Sequence, residues 1–523
     1  MAVTPNTELR IIKCNLNLDN NNQLTFANKT AQYNYFNSLQ HLTITDISYQ
    51  RKDNYVRYPA HIDSLIEYNY VMYKNSNYSD KWFYAYILRM EYENDNCTRI
   101  YIKTDVFQTW QFDLTFPKSF VEREHVNDDT VGKHTIPEGL ETGDYISTYL
   151  QPSSKYMEHS DMCFAVASTI PVTATSYTTT SEILPSGVYY AGFTSLQGIH
   201  DYISHLDQLG AADSVVSVFV IPKYFFSNWG SVTGIDGSVS TTVSFYHSEN
   251  ITIPKVNYLG NNYTPKNKKL LTFPYSYLQV SNHSGQIVTY RWENFNTRVS
   301  GSNIEFTLKG SLTPSGSFAL FPIDYNNIIN NYDDGMIMGK LPIGGYQNDS
   351  YTNWLVQNGA SIAMGIGGGF ISTIAGATEM IGSGGVAGGT KTIAGIGAIA
   401  GTLAQVYQHS FIPPQANGNV AVGDVMYATE LLGFEFTRKS IKNEYAKIID
   451  DFFSMYGYKV NTLKVPNITG RSNWNYVKLI NPNIEAYIPQ EDLQEIKGMF
   501  SDGVTLWHTT THFLDYSQNN SII

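Results

Sequence analysis

Cysteine is scarce in this chain. Cys14, Cys97 and Cys163 are far apart, odd in number and without a CxxC pair. That excludes a disulfide framework or an ordinary thiolate metal site and suits assembly in a reducing cytosol. Charge is scarce too, at 15% of residues, and the balance is acidic, with a formal net charge of -12. Proteins grip nucleic acid by neutralising phosphates with Lys and Arg, so this chain has no electrostatic footprint for it and any DNA contact is expected to be weak or repulsive. Met1 to Asp19 lacks a continuous apolar run and a small-residue cleavage site, which argues against Sec export. G-x-S-x-G and HExxH occur nowhere.

What is abundant is Tyr, Asn, Ser and Thr, so the surface is expected to be neutral and polar, as suits a rigid extracellular or virion protein. The 523 residues allow two to four domains. The pattern predicts a mainly β fold with some α. Most of the first 330 residues read as short strands broken by Asn, Asp, Gly and Ser clusters. In Trp82 to Glu93, the residues Trp82, Tyr84, Tyr86, Leu88, Met90 and Tyr92 alternate with Arg89, Glu91 and Glu93, the period of a half-buried strand. Asn94-Asp95-Asn96 makes the turn, Arg99 to Thr104 returns, and Asp105 caps a short helical turn through Trp110.

From Ser153 to Ser350, turn signals about every ten residues indicate sandwich or barrel strands. His200-Asp201 and His205-Leu206-Asp207 lie in this stretch, with a histidine spacing poor for a metal pair. Helix is expected only near the C-terminus. From Ser440 to Tyr456, Ile441, Tyr445, Ile448, Phe452 and Met455 recur at steps of three and four, and Gly457 supplies the C-terminal cap. A second helix spans about Glu491 to Phe500, stopped by Asp502-Gly503, before a strand from Val504 to His508.

One segment differs from all the rest. Between Asp349 and Asp424 the only charged residues are Glu379 and Lys391. Within it, Gly359 to Gly401 alternates Gly, Ala, Ser and Thr with Ile362, Met364, Ile366, Phe370, Ile371, Ile374, Met380, Ile381, Val386, Ile393, Ile396 and Ile399. A water-facing loop has no reason to be so apolar, and glycine weakens a core strand or helix. Two bilayer-length windows flank Gly382 to Gly389, which suggests a hairpin of membrane-active residues. Each window is only mildly hydrophobic, so conditional insertion fits better than a permanent anchor. The small-residue spacings Gly365-x-x-x-Gly369 and Gly397-x-x-x-Gly401 allow several copies to associate in lipid. A Gly/Ala hairpin buried in a channel or subunit interface is the competing reading, and one segment can serve both in two states. A phosphate loop is a poorer alternative, because Gly365 to Phe370 lacks the third glycine of GxGxxG and no Walker lysine follows.

The densest polar cluster is Glu122, Glu124, His125, Asp128, Asp129, His134 and Glu138, which has the side chains for acid/base work or a divalent metal. Phe120 to Val126 reads as a strand, however, which splits Glu122 and Glu124 from Arg123 and His125 and leaves solvated acids in the following loop. No catalytic residue, metal site or cofactor is expected.

Three motifs occur in order: Lys81-Trp82-Phe83-Tyr84-Ala85, Thr104-Asp105-Val106-Phe107-Gln108-Thr109-Trp110, and Ser119-Phe120-Val121-Glu122-Arg123-Glu124-His125-Val126. Later come Ile412-Pro413-Pro414-Gln415, Tyr456-Gly457-Tyr458-Lys459, Asn475-Tyr476-Val477, Asp492-Leu493-Gln494-Glu495-Ile496 and Gly503-Val504-Thr505-Leu506-Trp507-His508. In this order they resemble the tail-knob, or distal tail tube, proteins of small protein-primed short-tailed podophages. The resemblance implies a tail-tube-like β domain and β-rich knob domains, assembled as a homo-hexameric tube at the distal tip of the virion tail. It divides the chain into an N-terminal part of the tube domain (1–150), knob domains (151–350), a glycine-rich loop (351–412) and a C-terminal part completing the tube (413–523). It also implies that the loops plug the lumen and then enter the host membrane as a conduit for viral DNA, next to proximal tail tube or connector proteins. A secreted pore-forming toxin and a cell-wall hydrolase using Glu122 or Glu124 are the alternatives.

Overall fold

The computed structural model describes residues 6–150, 162–170, 188–337, 343–345 and 433–523, apart from short stretches inside those ranges (17, 50, 77–80, 212–213, 255, 284, 297–302 and 313–316). The described chain is mostly β, as the residue pattern predicts. Its α-helices are α1 (Lys29–Ser38), α2 (Val106–Trp110), α3 (Leu196–Gln208), α4 (Asn443–Tyr456) and α5 (Gln490–Asp502). Helix is therefore not confined to the C-terminus, since α1 and α3 lie in stretches whose composition reads as strand.

Two compact units divide the chain. The first contains Met1–Gly143, Tyr263–Thr272 and Lys442–Ile523. Its N-terminal strands β1 (Thr7–Ile12), β3 (His41–Ile47), β4 (Tyr55–Tyr58), β5 (Tyr70–Asn75), β6 (Trp82–Asn94) and β7 (Cys97–Thr104) form an antiparallel sheet in the order β3-β1-β5-β6-β7-β4. Helix α1 starts where Asn28 accepts from the Ala31 amide, and it drops Phe36 into the sheet's aromatic core. There the Phe36 ring stacks on Tyr70 with centroids 5.2 Å apart and meets Tyr84 at 4.9 Å. Three aromatics at this spacing outweigh the weak helix propensity of KTAQYNYFNS, because tertiary packing supplies most of a helix's stability.

The β6–β7 hairpin forms where the sequence puts it, but its strict alternation does not hold. A register shift between Ile87 and Arg89 sets Leu88 out into solvent, 63% exposed, while Phe83, Tyr84 and Ala85 are buried together. The bulge resets the faces of the strand, and its first half is covered on both sides. Asp105 caps α2 as expected, accepting from the Gln108 amide at 3.0 Å.

The unit's second sheet joins the two ends of the chain. Strand β2 (Asn22–Leu24) runs parallel to Val504–Trp507, followed by Trp474–Ile480, β8 (Ser119–Glu124) and Tyr458–Lys464. Trp474 and Trp507 are fully buried with ring centroids 5.1 Å apart, and truncating either to Ala would cost about 3–5 kcal/mol. Helix α5 and the strand after it match expectation, with Gly503 at φ 102° where the chain turns between them.

Helix α4 ends at Gly457 as expected, with φ 64°, and a Cβ there would meet the Glu124 carbonyl oxygen at 2.1 Å. Its start and its face are corrected. Ser440 and Ile441 belong to the preceding strand Glu435–Ile441, and the buried helical residues are Ala446, Ile449, Asp450 and Phe453, leaving Ile448 68% exposed. The face turned inward centres on a carboxylate. Asp450 receives the segment Tyr263–Thr272, which comes from the middle of the chain and folds into this unit.

The second unit contains Asp144–Asn262 and Phe273–Ile441. It holds a sheet of six strands that includes Met162–Ser168, Tyr189–Phe193, Val215–Pro222 and Ile343–Gly345, another built on Tyr246–Ile253, Ile304–Ser311 and Ser317–Tyr325, and a third of four strands in the order Ile287–Tyr290, Ser276–Ser281, Glu435–Ile441, Tyr145–Tyr149. Helix α3 interrupts this β-rich stretch. Ser195 caps it through the Gly198 amide, and Ile199, Tyr202 and Leu206 pack on Phe193, Val166 and Val215. Spacings of three and four, not two, mark those three residues as one helical face.

Candidate functional site

The twelve apolar residues from Ile362 to Ile399 lie outside the described residues, as does the whole stretch 351–412. What the structure does place is the chain on either side. The strand entering the stretch, Ile343–Gly345, pairs antiparallel with Val215–Pro222, Phe219 opposite Ile343 and Ser217 opposite Gly345. The strand leaving it, Glu435–Ile441, lies between Ser276–Ser281 and Tyr145–Tyr149. Both stems are thus built into sheets of the second unit.

The returning stem is the more deeply fixed. Phe434 and Phe436 are buried, the Phe436 ring lies 5.3 Å from Phe306, and the Phe436 carbonyl accepts from the Leu150 amide at 2.9 Å. Two residues on, the buried Arg438 donates from Nη1 to the Tyr258 carbonyl at 2.9 Å and lies against the Tyr258 ring. Burial pushes its pKa below the usual arginine value. A stem with two buried phenylalanines resists being pulled out of the sheet. Among the described residues no helix is long and apolar enough to cross a membrane.

The polar cluster of residues 122–138 is structural. Glu124 is fully buried, pairs with Lys464, and accepts from the Asn467 amide at 2.8 Å. Glu122 faces Lys478 at 3.1 Å. His125 accepts from the Tyr476 amide at Nδ1, 2.7 Å, which makes Nε2 the protonated nitrogen that donates to the Ser454 carbonyl at 3.1 Å. Burial drives its pKa down to about 3, helped by the Arg471 and Arg123 cations.

The acids after the strand are not all solvated, contrary to the loop reading. The Glu138 side chain is fully buried between Arg123 and Lys269, and Asp129 accepts from Tyr458 Oη at 2.7 Å and the Lys268 amide at 3.0 Å. Glu122, Glu124, Asp129 and Glu138 are taken up mostly by partners from distant parts of the chain, and Asp128 is held locally by Thr130 and Lys133, which leaves no free acid and base of the cluster facing each other. Among the described residues no group of three or more His, Cys, Asp or Glu could hold a metal ion. His508 is likewise committed, with Nδ1 at 2.6 Å from Thr25 Oγ1 and Nε2 at 3.0 Å from Asn475 Oδ1. The histidines of α3, His200 and His205, form no metal cluster either.

The ordered motifs meet in space. The Tyr84 amide donates to Thr109 Oγ1 at 3.1 Å, and the Tyr84 carbonyl accepts from the Asp105 amide at 2.8 Å, which locks the first motif to the second. Trp110 Nε1 donates to Asp492 Oδ2 at 2.8 Å, and Arg51 pairs with the same buried carboxylate, which locks the second motif to the first residue of Asp492-Leu493-Gln494-Glu495-Ile496. The third motif, in β8, pairs with both Tyr458–Lys464 and Trp474–Ile480. These residues hold the two sheets of one unit together rather than perform chemistry. Nothing local in the sequence reveals Asp492 or Asp450 as an anchor, because their partners lie more than 180 residues away.

Comparison with known proteins agrees with this architecture. Residues 239–521, more than half of the chain, match the family described as Bacillus phage phi29, Tail knob protein gp9, C-terminal domain. The chain belongs to this tail knob family. Residues 5–115, which hold the first sheet with α1 and α2, match the N-terminus of caudoviral major tail proteins. The chain is 27% identical to tail knob protein gp9 of Bacillus phage B103 over all of both proteins. It is also 27% identical to tail knob protein gp9 of Bacillus phage phi29 over 96% of each. The solved tail knob protein gp12 of bacteriophage C1 shares the fold, with a TM-score of 0.62 at 14% identity, over 99% of this chain and 100% of that one. The tail knob chain is therefore a structural component of a phage tail and not an enzyme. The resemblance carried by the ordered motifs holds.

Proposed function

We propose that this tail knob protein forms the distal end of the tail tube as a homo-hexamer. In this reading the stretch 351–412 plugs the lumen, then enters the host cell membrane when the genome is ejected. The observation that carries it is the composition of Gly359 to Gly401, which holds only Glu379 and Lys391 as charges between stems fixed in one unit. Ile362, Met364, Ile366, Phe370, Ile371, Ile374, Met380, Ile381, Val386, Ile393, Ile396 and Ile399 are the membrane-active residues of the proposal. An acidic wall favours transport, since viral DNA passes a lumen with few phosphate contacts faster than one lined by Lys and Arg. Proximal tail tube or connector proteins continue the tube behind it.

Dye release from phosphatidylglycerol-containing vesicles tests the membrane step. The full chain should leak dye at neutral or acidic pH, and a variant lacking Gly359 to Gly401 should not. Equal leakage from both, or none from either at any pH, sinks the reading. A mass measurement on the purified protein and on tails tests the ring separately: a monomer in both settings excludes the hexamer.

A further inference from the structure

The first unit contains a cavity of about 710 Å³ that the tail knob architecture leaves without a role. That volume is in the range of small-molecule sites. Its floor is rigid. Tyr84 and Thr109 are buried and bonded to each other through the Tyr84 amide, and Trp110 is held by its indole N–H on Asp492.

Charge is concentrated on three lining residues, Lys29, Lys81 and Asp113. Lys81 Nζ lies 3.5 Å from the centre of the Trp110 ring and pairs with Asp113, which also takes Lys29 at 3.3 Å. Two ammonium groups share one carboxylate, so the cavity has an excess positive charge in a chain whose net charge is -12. Tyr487 also lines the cavity, with its ring fully exposed. The loop carrying it is pinned by two backbone hydrogen bonds between Thr115 and Glu485, at 2.9 and 3.0 Å. A bare aromatic ring on a fixed backbone is a stacking surface with little ordering cost.

We propose that this cavity is a subsite for a sugar ring bearing a carboxylate. The C–H face of a pyranose lies on Tyr487, and its acid group reaches the free donors of Lys81 and Lys29. An extended peptide fits less well, because strand addition needs a free backbone edge. Here β6 is already paired with β5, and the Tyr84 amide and carbonyl are both taken. Nucleic acid needs more than two lysines to offset the acidic surface.

Titration calorimetry on the full chain, with trigalacturonate, maltotriose, triglutamate and inorganic phosphate as probes, tests the assignment. Trigalacturonate should bind at least about tenfold tighter than the other three, which is about 1.4 kcal/mol. Tyr487→Ala and Lys29→Ala should each weaken it by about fivefold or more with the melting temperature unchanged, since both residues are exposed and bear little on the core. The proposal is overturned if trigalacturonate does not bind. It is overturned equally if phosphate or triglutamate matches it, which makes the cavity an anion or acidic-peptide site, if maltotriose matches it, or if both variants bind as the parent does.

Discussion

Asn267 holds the buried carboxylate of Asp450 with two donors, its backbone amide and its side-chain amide reaching Oδ1 at 2.9 and 2.8 Å. The other oxygen accepts from Tyr263 Oη at 2.7 Å and from the Lys266 amide at 2.8 Å. One aspartate on α4 therefore anchors the first half of the inserted segment, from Tyr263 to Asn267, while Asp129 and Glu138 take Lys268 and Lys269. Asp450→Ala leaves three donors without their acceptor, Tyr263 Oη and the Lys266 and Asn267 amides, at a cost of about 3 kcal/mol or more. The check is urea unfolding together with limited proteolysis, where the variant should unfold earlier and be cut within 263–272. A variant with the parent's midpoint and cleavage pattern would show that the segment is held by something else.

Glu138 raises a different question, because its side chain is sealed between two cations, Arg123 and Lys269, and also accepts from the Lys459 amide at 3.0 Å. Burial holds Lys269 below the ordinary lysine pKa, with Glu138 pulling the other way. Glu138→Gln removes that pull while both cations stay buried, and breaking such a pair costs about 3–5 kcal/mol. Adding Lys269→Met should recover a large part of the loss. Thermal unfolding of the single and double variants measures the difference, and a double variant no more stable than the single one argues against an ion-pair origin.

Acid stability follows from His125. Its folded-state pKa, about 3, lies below the unfolded value of 6.5, so the unfolded chain binds the extra proton first as pH falls. Its contribution is therefore intact above pH 6.5 and lost progressively toward pH 3. His508, lowered to about 4 by burial, acts in the same direction. Asp105 opposes them: burial raises its pKa to about 6, so the folded state takes up its proton first and gains stability on acidification from about 6 to 4. Two histidines outweigh one aspartate, and stability should fall between pH 6.5 and 4 by on the order of a few kcal/mol. His125→Gln cannot take up that proton, so its stability should fall less steeply over the same range, whatever its starting value. Parallel pH profiles of the two proteins would rule this out.

Local signals carry part of this fold. The Asn94-Asp95-Asn96 turn and the Asp105 cap act on neighbouring residues, so the hairpin and α2 can be read from adjacent letters. The inward face of α4 cannot, because it turns on a buried Asp450 whose partners are 183 to 187 residues away, while the apolar Ile448 points to solvent. Helix α1 was hidden for a related reason: its sequence has aromatic and Asn residues that favour strands and turns, and only the packing of Phe36 on Tyr70 and Tyr84 selects the helix. The polar cluster looked like chemistry because its acids are close in sequence. Its neutralising cations, Lys269 and Lys464, come from elsewhere in the chain. The glycine-rich run is the opposite case, because its reading rests on composition alone and the run lies outside the described residues.

That composition makes the membrane proposal vulnerable to single charges. Ile371 and Ile396 fall in the two apolar windows on either side of Gly382 to Gly389, and each window is only mildly hydrophobic. An ionised side chain at a bilayer centre costs about 2.5–3.5 kcal/mol, which such a window has little surplus to absorb. Ile371→Asp or Ile396→Asp should reduce dye release by about tenfold or more, and Ile371→Leu should leave it unchanged. Acidification toward the carboxylate's own pKa should restore part of the Asp variants' leakage, because the neutral acid inserts more readily. If both Asp variants leak like the parent at neutral pH, the run does not enter the bilayer, and the lumen-plugging role would have to stand without the membrane step.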